Sequence, residues 1–156
     1  MVGRATFLES YAGILPVEDI VAHCAVKHAP DVYAAWLEDG KTVCWLVEAA
    51  HGGAPVGYLV LGAPDLPLKN PDANDWEIKR IYLLSRFQGS GTGRHLMESC
   101  MRQAKALGCK RLVLGVYSRN DQALKFYARM GFEQIGERMF RVGATDYYDY
   151  ILGRAP

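Results

Sequence analysis

Apolar positions along the chain change period, and the changes mark its elements. Over the first forty residues the spacing is helical. ATFLESYAGI reads as helix almost from the start. Pro16 suits a first helical turn, after which Ile20, Val21 and Cys24 recur on one face. Pro30 breaks that helix, Asp31 is placed to cap a short one carrying Val32, Trp36 and Leu37, and Gly40 ends it.

From Thr42 the pattern becomes that of strands. TVCWLVEA and VGYLVLG are rich in β-branched and aromatic residues and are joined by the turn HGGAP, which predicts a hairpin. A Pro- and Asn/Asp-rich loop, APDLPLKNPDAND, leads to a third strand, DWEIKRIYLL. The amphipathic helix RHLMESCMRQAKALG follows, with Leu96, Met97, Cys100, Met101, Ala104 and Leu107 on its core face and Gly108 at its end. Next come the strand KRLVLGVY and the helix NDQALKFYARMG, with Asn120 as N-cap and Gly131 as stop. FEQIGERMFRVG and ATDYYDYILG close as a second hairpin. The expectation is one α/β domain over residues 1–156 with a central mixed β-sheet flanked by helices. Crossovers through the two later helices are expected to make the central strands parallel.

Composition narrows the function classes. Half the residues are hydrophobic, 22% are charged and the net charge is +1, which argues against a dedicated nucleic-acid binder. No apolar run reaches the length of a membrane span, and the N-terminal stretch lacks the apolar core of a signal peptide. The four cysteines form no C-x-x-C pair; Cys44 and Cys100 read as small buried hydrophobes. No metal site is expected, and a reducing, cytoplasmic setting is the default.

The most informative stretch joins the third strand to the amphipathic helix: Arg86-Phe87-Gln88-Gly89-Ser90-Gly91-Thr92-Gly93-Arg94. Alternating glycines let the backbone approach a ligand, and unpaired amides at a helix N-terminus favour an anion such as phosphate. Arg86 and Arg94 flank the turn. A Walker loop is excluded because no Lys-Ser or Lys-Thr follows a glycine of this turn, and a dinucleotide fingerprint fails because Gly91 and Gly93 are followed by Leu96. The remaining matches are Q-x-x-G-x-G, met by Gln88, Gly91 and Gly93, and a flexible glycine loop without a ligand.

WEIKRIYLLSRFQGSGTGRHLM and LGVYSRNDQALKFYARMGFEQIG together resemble the GCN5-related N-acetyltransferase (GNAT) superfamily, in the right order and along almost the whole chain. The wording EIKRIYLLSRFQGSG and the tail FRVGATDYYDYIL resemble its PaiA-type branch, whose members act on polyamines and related amines. The resemblance implies acetyl-CoA as cofactor and direct transfer of its acetyl group to a primary amine, with no acyl-enzyme on a cysteine. It implies cofactor contacts from Ile81, Tyr82, Leu83, Arg86, Gln88, Gly89, Ser90, Gly91, Thr92, Gly93, Arg94, Asn120 and Tyr127. It also allows a homodimer. One departure is visible: the family opens with a strand, so either Met1–Ala5 forms a vestigial one or that edge strand is missing.

The same resemblance assigns the chemistry. A strand that splays at a bulge would free the Leu83 amide as donor to the thioester carbonyl; the alternative is an ordinary paired strand. Tyr127 is the general acid for the departing thiolate, or a core tyrosine beside Leu124. Glu77 is the base, on one strand face with Lys79, Ile81 and Leu83, or it is a salt-bridge partner of Lys79 or Arg80. Asn120 caps its helix, binds the pantetheine arm, or both. Asp146, Asp149, Glu48 and Glu77, with Tyr147 and Tyr148, are candidates for an acidic, aromatic acceptor pocket suited to a polyamine. The rival readings are a protein N-terminal or lysine acetyltransferase and a non-catalytic acyl-CoA sensor.

Overall fold

The computed structural model describes residues 1–142 and 145–156. The elements run α1 (Val2–Tyr11), α2 (Val17–Lys27), α3 (Pro30–Glu38), β1 (Val43–Glu48), β2 (Pro55–Gly62), β3 (Asp75–Leu83), a short 3-10 turn (Ser85–Phe87), α4 (Thr92–Ala106), β4 (Arg111–Tyr117), α5 (Asp121–Arg129), β5 (Glu133–Val142) and β6 (Thr145–Arg154). Six strands form one mixed sheet in the order β1-β2-β3-β4-β6-β5. The turn of the final hairpin, at 143–144, lies outside the described residues. Among these residues no helix is long and apolar enough to cross a membrane.

The helices take the two faces of the sheet. Leu96, Met97, Cys100 and Ala104 of α4 are buried against Leu59, Leu61, Ile78, Leu112 and Leu114. A buried Leu or Met side chain is worth roughly 1.5–3 kcal/mol, so this one helical stripe accounts for much of the adhesion. Leu107, expected on that stripe, is largely exposed at the helix end. On the other face Phe7 of α1, Ile20 of α2 and Val142 of β5 form a second cluster.

Several local expectations are corrected. Val2–Tyr11 is helical, so Met1–Ala5 forms no strand. Pro16 caps α2 from outside it, and Pro30 opens α3, whose N-cap Ala29 makes no side-chain bond. Asp31 therefore lies inside the first turn rather than capping it. Val21 and Leu37 are exposed, because each helix buries only a narrow stripe. Cys44 is exposed on edge strand β1, on the face opposite Val43, Trp45 and Val47, which pack toward the α4 core. The α4 crossover makes β3 and β4 parallel, but β5 does not pair with β4: β6 inserts between them, antiparallel to both.

Candidate active site

β3 carries an irregularity that opens the sheet. Against β2, Val60 pairs with Arg80 but Leu61 pairs with Ile78, leaving Lys79 as an extra, unpaired residue. A bulge bends its strand and increases local twist. It follows directly on the last pairing with β4, which joins Asp75 to Arg111, Trp76 to Leu112 and Glu77 to Val113 and then stops. Beyond that point β3 and β4 part.

Two sets of bonds hold the parted strand. Arg80 donates to the Tyr33 hydroxyl at 2.5 Å and to the Lys27 carbonyl, and its guanidinium lies 4.8 Å from the Trp36 ring. The Glu9 carboxylate accepts from the Ser85 amide and hydroxyl, both at 2.8 Å. The bulge also shifts the strand's phase. Ile81 joins Trp76 and Ile78 on the α4 side, so the expected face of Glu77, Lys79, Ile81 and Leu83 is broken. Tyr82 turns to the opposite face and stacks on Tyr58 with ring centroids 5.8 Å apart.

The amide of Leu84 donates to Val56 of β2 at 2.9 Å. Backbone groups alternate along a strand, so the Leu83 N–H and C=O point the other way, into the opening toward β4. The Leu83 carbonyl accepts from the Gln88 side-chain amide at 2.7 Å, and Gln122 of α5 donates to Gln88 Oε1 at 2.9 Å. Gln88 thus ties the glycine turn to both walls of the opening and acts as a positioning residue. Among the described residues, no strand partner faces the Leu83 N–H across the opening.

At the same end lies the turn itself. Gly89 and Gly91 have φ of 79° and 90°, and Gly91 is the N-cap of α4 with no side-chain cap bond. The first amides of α4 are therefore left for a ligand. At Gly93 an added Cβ would meet only the Phe126 ring, at 3.9 Å. Ser90 and Thr92 hydroxyls are bonded to each other at 3.0 Å. Arg94 pairs one turn along with Glu98 at 2.8 Å, and Arg86 lies over the Phe87 ring; both arginines are exposed. A diphosphate fits this cradle of amides better than it fits any side-chain cage.

Asn120 caps α5, its Oδ1 accepting from the Ala123 amide at 3.0 Å, which leaves its Nδ2 donors over. Tyr127, two turns on, is buried, with Phe126 and Phe132 rings 5.4 and 5.9 Å away. No described residue gives its hydroxyl a hydrogen bond. Burial, then the Tyr82 phenol, pushes its pKa well up, so the phenol stays protonated. Burial also pushes the Cys100 thiol up to about 12, as expected of a core thiol rather than a nucleophile.

The carboxylates scatter more than expected. Glu77 is buried, accepts from the Asp65 amide at 2.6 Å and lies 3.9 Å from Lys79, which bonds Asp65 at 2.5 Å. Glu48 is exposed on edge strand β1, and Asp146 is exposed and paired with Arg141 at 2.7 Å, so neither joins Glu77. Asp149 sits between Tyr148 and Tyr150 in β6. It is 5% exposed and opposite Tyr117. Arg138 Nε and Nη2 both donate to its Oδ2 at 3.3 Å, and no described residue bonds its Oδ1. Burial raises its pKa, with Arg138 pulling the other way. Tyr11 is raised by the Tyr82 phenol first, then by burial, with Asp149 and Tyr127 adding to it. Tyr11 therefore lies within electrostatic reach of Tyr82, Asp149 and Tyr127 around the opening.

An open groove of about 710 Å3, lined by Pro67, Leu68, Arg111, Ile135 and Ile151, lies at the other end of the strands and takes no part in this arrangement.

Comparison with known proteins points one way. A model of the acetyltransferase (GNAT) family matches residues 14–132. An uncharacterised N-acetyltransferase of Mycobacterium tuberculosis is 34% identical over 122 residues, 78% of this chain and 72% of that one. A spermine/spermidine N(1)-acetyltransferase of Bacillus subtilis is 30% identical over 108 residues, 67% of this chain and 70% of that one. Among solved structures, the PaiA N-acetyltransferase from Thermoplasma acidophilum in complex with coenzyme A superposes with a TM-score of 0.75 at 19% identity, covering 99% of this chain and 89% of that one.

Proposed function

The chain belongs to the acetyltransferase (GNAT) family, whose acyl donor is acetyl-CoA, and on that premise we propose that it transfers the acetyl group to a small primary aliphatic amine, such as the aminopropyl end of a polyamine. The observation that carries the reading is the parting of β3 and β4 beyond Glu77 and Val113, with the Leu83 N–H facing the gap. The amides of Gly89 to Arg94 hold the donor's diphosphate. Arg86, Arg94 and the free Asn120 amide add contacts along its length, beside the backbone of Ile81 and Tyr82.

Each residue then has one task. The Leu83 N–H donates to the thioester carbonyl oxygen as that oxygen gains charge. The Tyr127 hydroxyl gives its proton to the departing sulfur. Glu77, already bonded to Asp65, anchors the loop before β3 and reaches an amine only through water.

The polyamine reading is supported by the Bacillus subtilis relative and by the tyrosines Tyr11, Tyr82, Tyr117 and Tyr147 around the acceptor side. Glu77, Asp146 and Asp149 each already face a cation. The site therefore suits an acceptor that presents one ammonium to the gap rather than a polycation stretched along an acidic channel. An amine panel with free-thiol detection, holding alkylamines, spermidine, spermine and lysine peptides, tests this. Thiol release with the small amines is expected; release with none of them contradicts it.

A further inference from the structure

Asp149 is a buried carboxylate toward the open end of the gap, and no described residue bonds its Oδ1. Its Oδ2 is held by two nitrogens of Arg138, and that guanidinium is itself fixed over the Phe140 ring at 4.8 Å. Its strand partner is Tyr117, whose ring meets that of Tyr147 at 5.8 Å. Asp149, Tyr117 and Tyr147 share the sheet face that carries Ile151 and Val113, away from α4. Among the described residues, the charged and titratable groups on the side of Asp149 are Arg138 from β5, Tyr117 from β4, Tyr147 from β6, Tyr11 from α1 and Tyr82 from β3. Glu77 differs in place: it sits where β3 and β4 are still paired, opposite Val113, and its Oε2 is tied to the loop amide of Asp65, whereas Asp149 lies opposite Tyr117, four residues further along β4 toward the open end.

We propose that Asp149, rather than Glu77, is the catalytic residue that takes the proton from the acceptor ammonium, with Arg138 as the positioning residue that aims its free oxygen. The assignment rests on the amine-acetylating reading and deepens it. One N–H bond of the ammonium breaks and its proton goes to Oδ1. The freed lone pair forms the new N–C bond to the acetyl carbon as the C–S bond breaks. Sulfur leaves with the Tyr127 proton, and the second nitrogen proton restores that phenol by way of water. Asp149 then releases its proton to solvent, so one proton leaves per acetyl group transferred. An ordinary carboxylate is a poor base for an ammonium, and the buried setting that lifts Asp149 narrows the gap.

The test compares Asp149→Asn with Glu77→Gln on two kinds of amine, measuring kcat/KM against pH and acetyl-CoA affinity by calorimetry. For an ordinary alkylamine, Asp149→Asn is expected to lower kcat about 10²-fold and to remove the acid limb of the profile, with acetyl-CoA affinity unchanged. A fluorinated ethylamine, already neutral at the assay pH, is expected to be spared. Equal loss on both amines would mean that Asp149 only supports the fold and would overturn the assignment. So would an unimpaired Asp149→Asn, or loss of the acid limb in Glu77→Gln alone. Arg138→Lys, which keeps a cation beside Oδ2, is expected to retain part of the activity and the acid limb. A wild-type protein that acetylates no amine removes this inference together with the reading beneath it; a working wild type with an unimpaired Asp149→Asn removes this inference alone.

Discussion

Glu77 and Val113 are the last residues at which β3 and β4 are paired, and the bulge at Lys79 follows on the next turn of the strand. Across this opening the Tyr82 phenol adds to burial in raising the pKa of Tyr127. It also leaves the Leu83 N–H facing the gap, where a carbonyl can meet it.

The closed end of the opening is secured by the Asp75–Arg111 pair, with Arg111 Nε and Nη2 at 3.0 and 2.6 Å from the carboxylate. Burial alone would raise Asp75, but the Arg111 and Asp72 hydrogen bonds outweigh it and its pKa is lowered. A depressed folded pKa means that this stability is present above the unfolded value and lost as pH falls below about 4. Asp75→Asn is expected to cost roughly 1.5–3 kcal/mol in urea unfolding at pH 7 and progressively less as the pH falls below the ordinary carboxylate range.

Tyr127→Phe removes a hydroxyl that no described residue bonds. Stability should change little, and acetyl-CoA affinity should hold. Turnover should fall on the order of 10²-fold. Calorimetry and a thiol-release assay on the same preparation separate these effects, and unchanged turnover would remove the general-acid role.

Two glycines of the turn should behave differently. Gly91 sits at φ 90°, so Gly91→Ala is expected to cost about 1–2 kcal/mol of strain and to weaken acetyl-CoA binding. Gly93 has ordinary φ and room for a methyl. Gly93→Ala should leave the melting temperature unchanged and weaken binding only, by blocking close approach of the ligand. Thermal melts with and without acetyl-CoA check both.

His28 and His23 pack near Phe7, and both imidazoles are held down, to about 3 and about 4, by burial first and then by Arg80. The unfolded chain, with histidines near 6.5, therefore binds more protons across that window. Stability should fall as pH drops from about 7 toward 4, on the order of 1–2 kcal/mol from His28 at pH 5. Melting temperatures from pH 7.5 to 5 would show it, and His28→Gln should flatten the slope.

Much of this was legible along the chain. Period and turn residues located all six strands and the helices α4 and α5, Asn120 and Gly131 bounded α5 as expected, and the glycine turn joins β3 to α4 as its spacing suggested. What local patterning could not reveal is non-local. The insertion of β6 between β4 and β5 is a choice among sheet edges that no short segment encodes. The bulge at Lys79 flips the phase of every later side chain in β3, so strict alternation misassigns Ile81 and Tyr82. Cys44 looks like core because its strand is apolar, yet an edge strand has one face uncovered. Asp149 looks like a surface carboxylate because the neighbours that set its surroundings, Arg138 on β5 and Tyr117 on β4, come from other strands.

The central claim is that the parted strands seat an acyl-CoA thioester against the Leu83 amide. A crystal structure with a non-hydrolysable acetyl-CoA analogue tests it most directly. The account predicts the diphosphate on the amides of Gly89 to Arg94, the carbonyl oxygen within hydrogen-bond reach of Leu83 N, and the sulfur position beside the Tyr127 hydroxyl. An analogue bound elsewhere, such as in the groove beside Leu68 and Ile135, or a carbonyl turned away from Leu83, would contradict it.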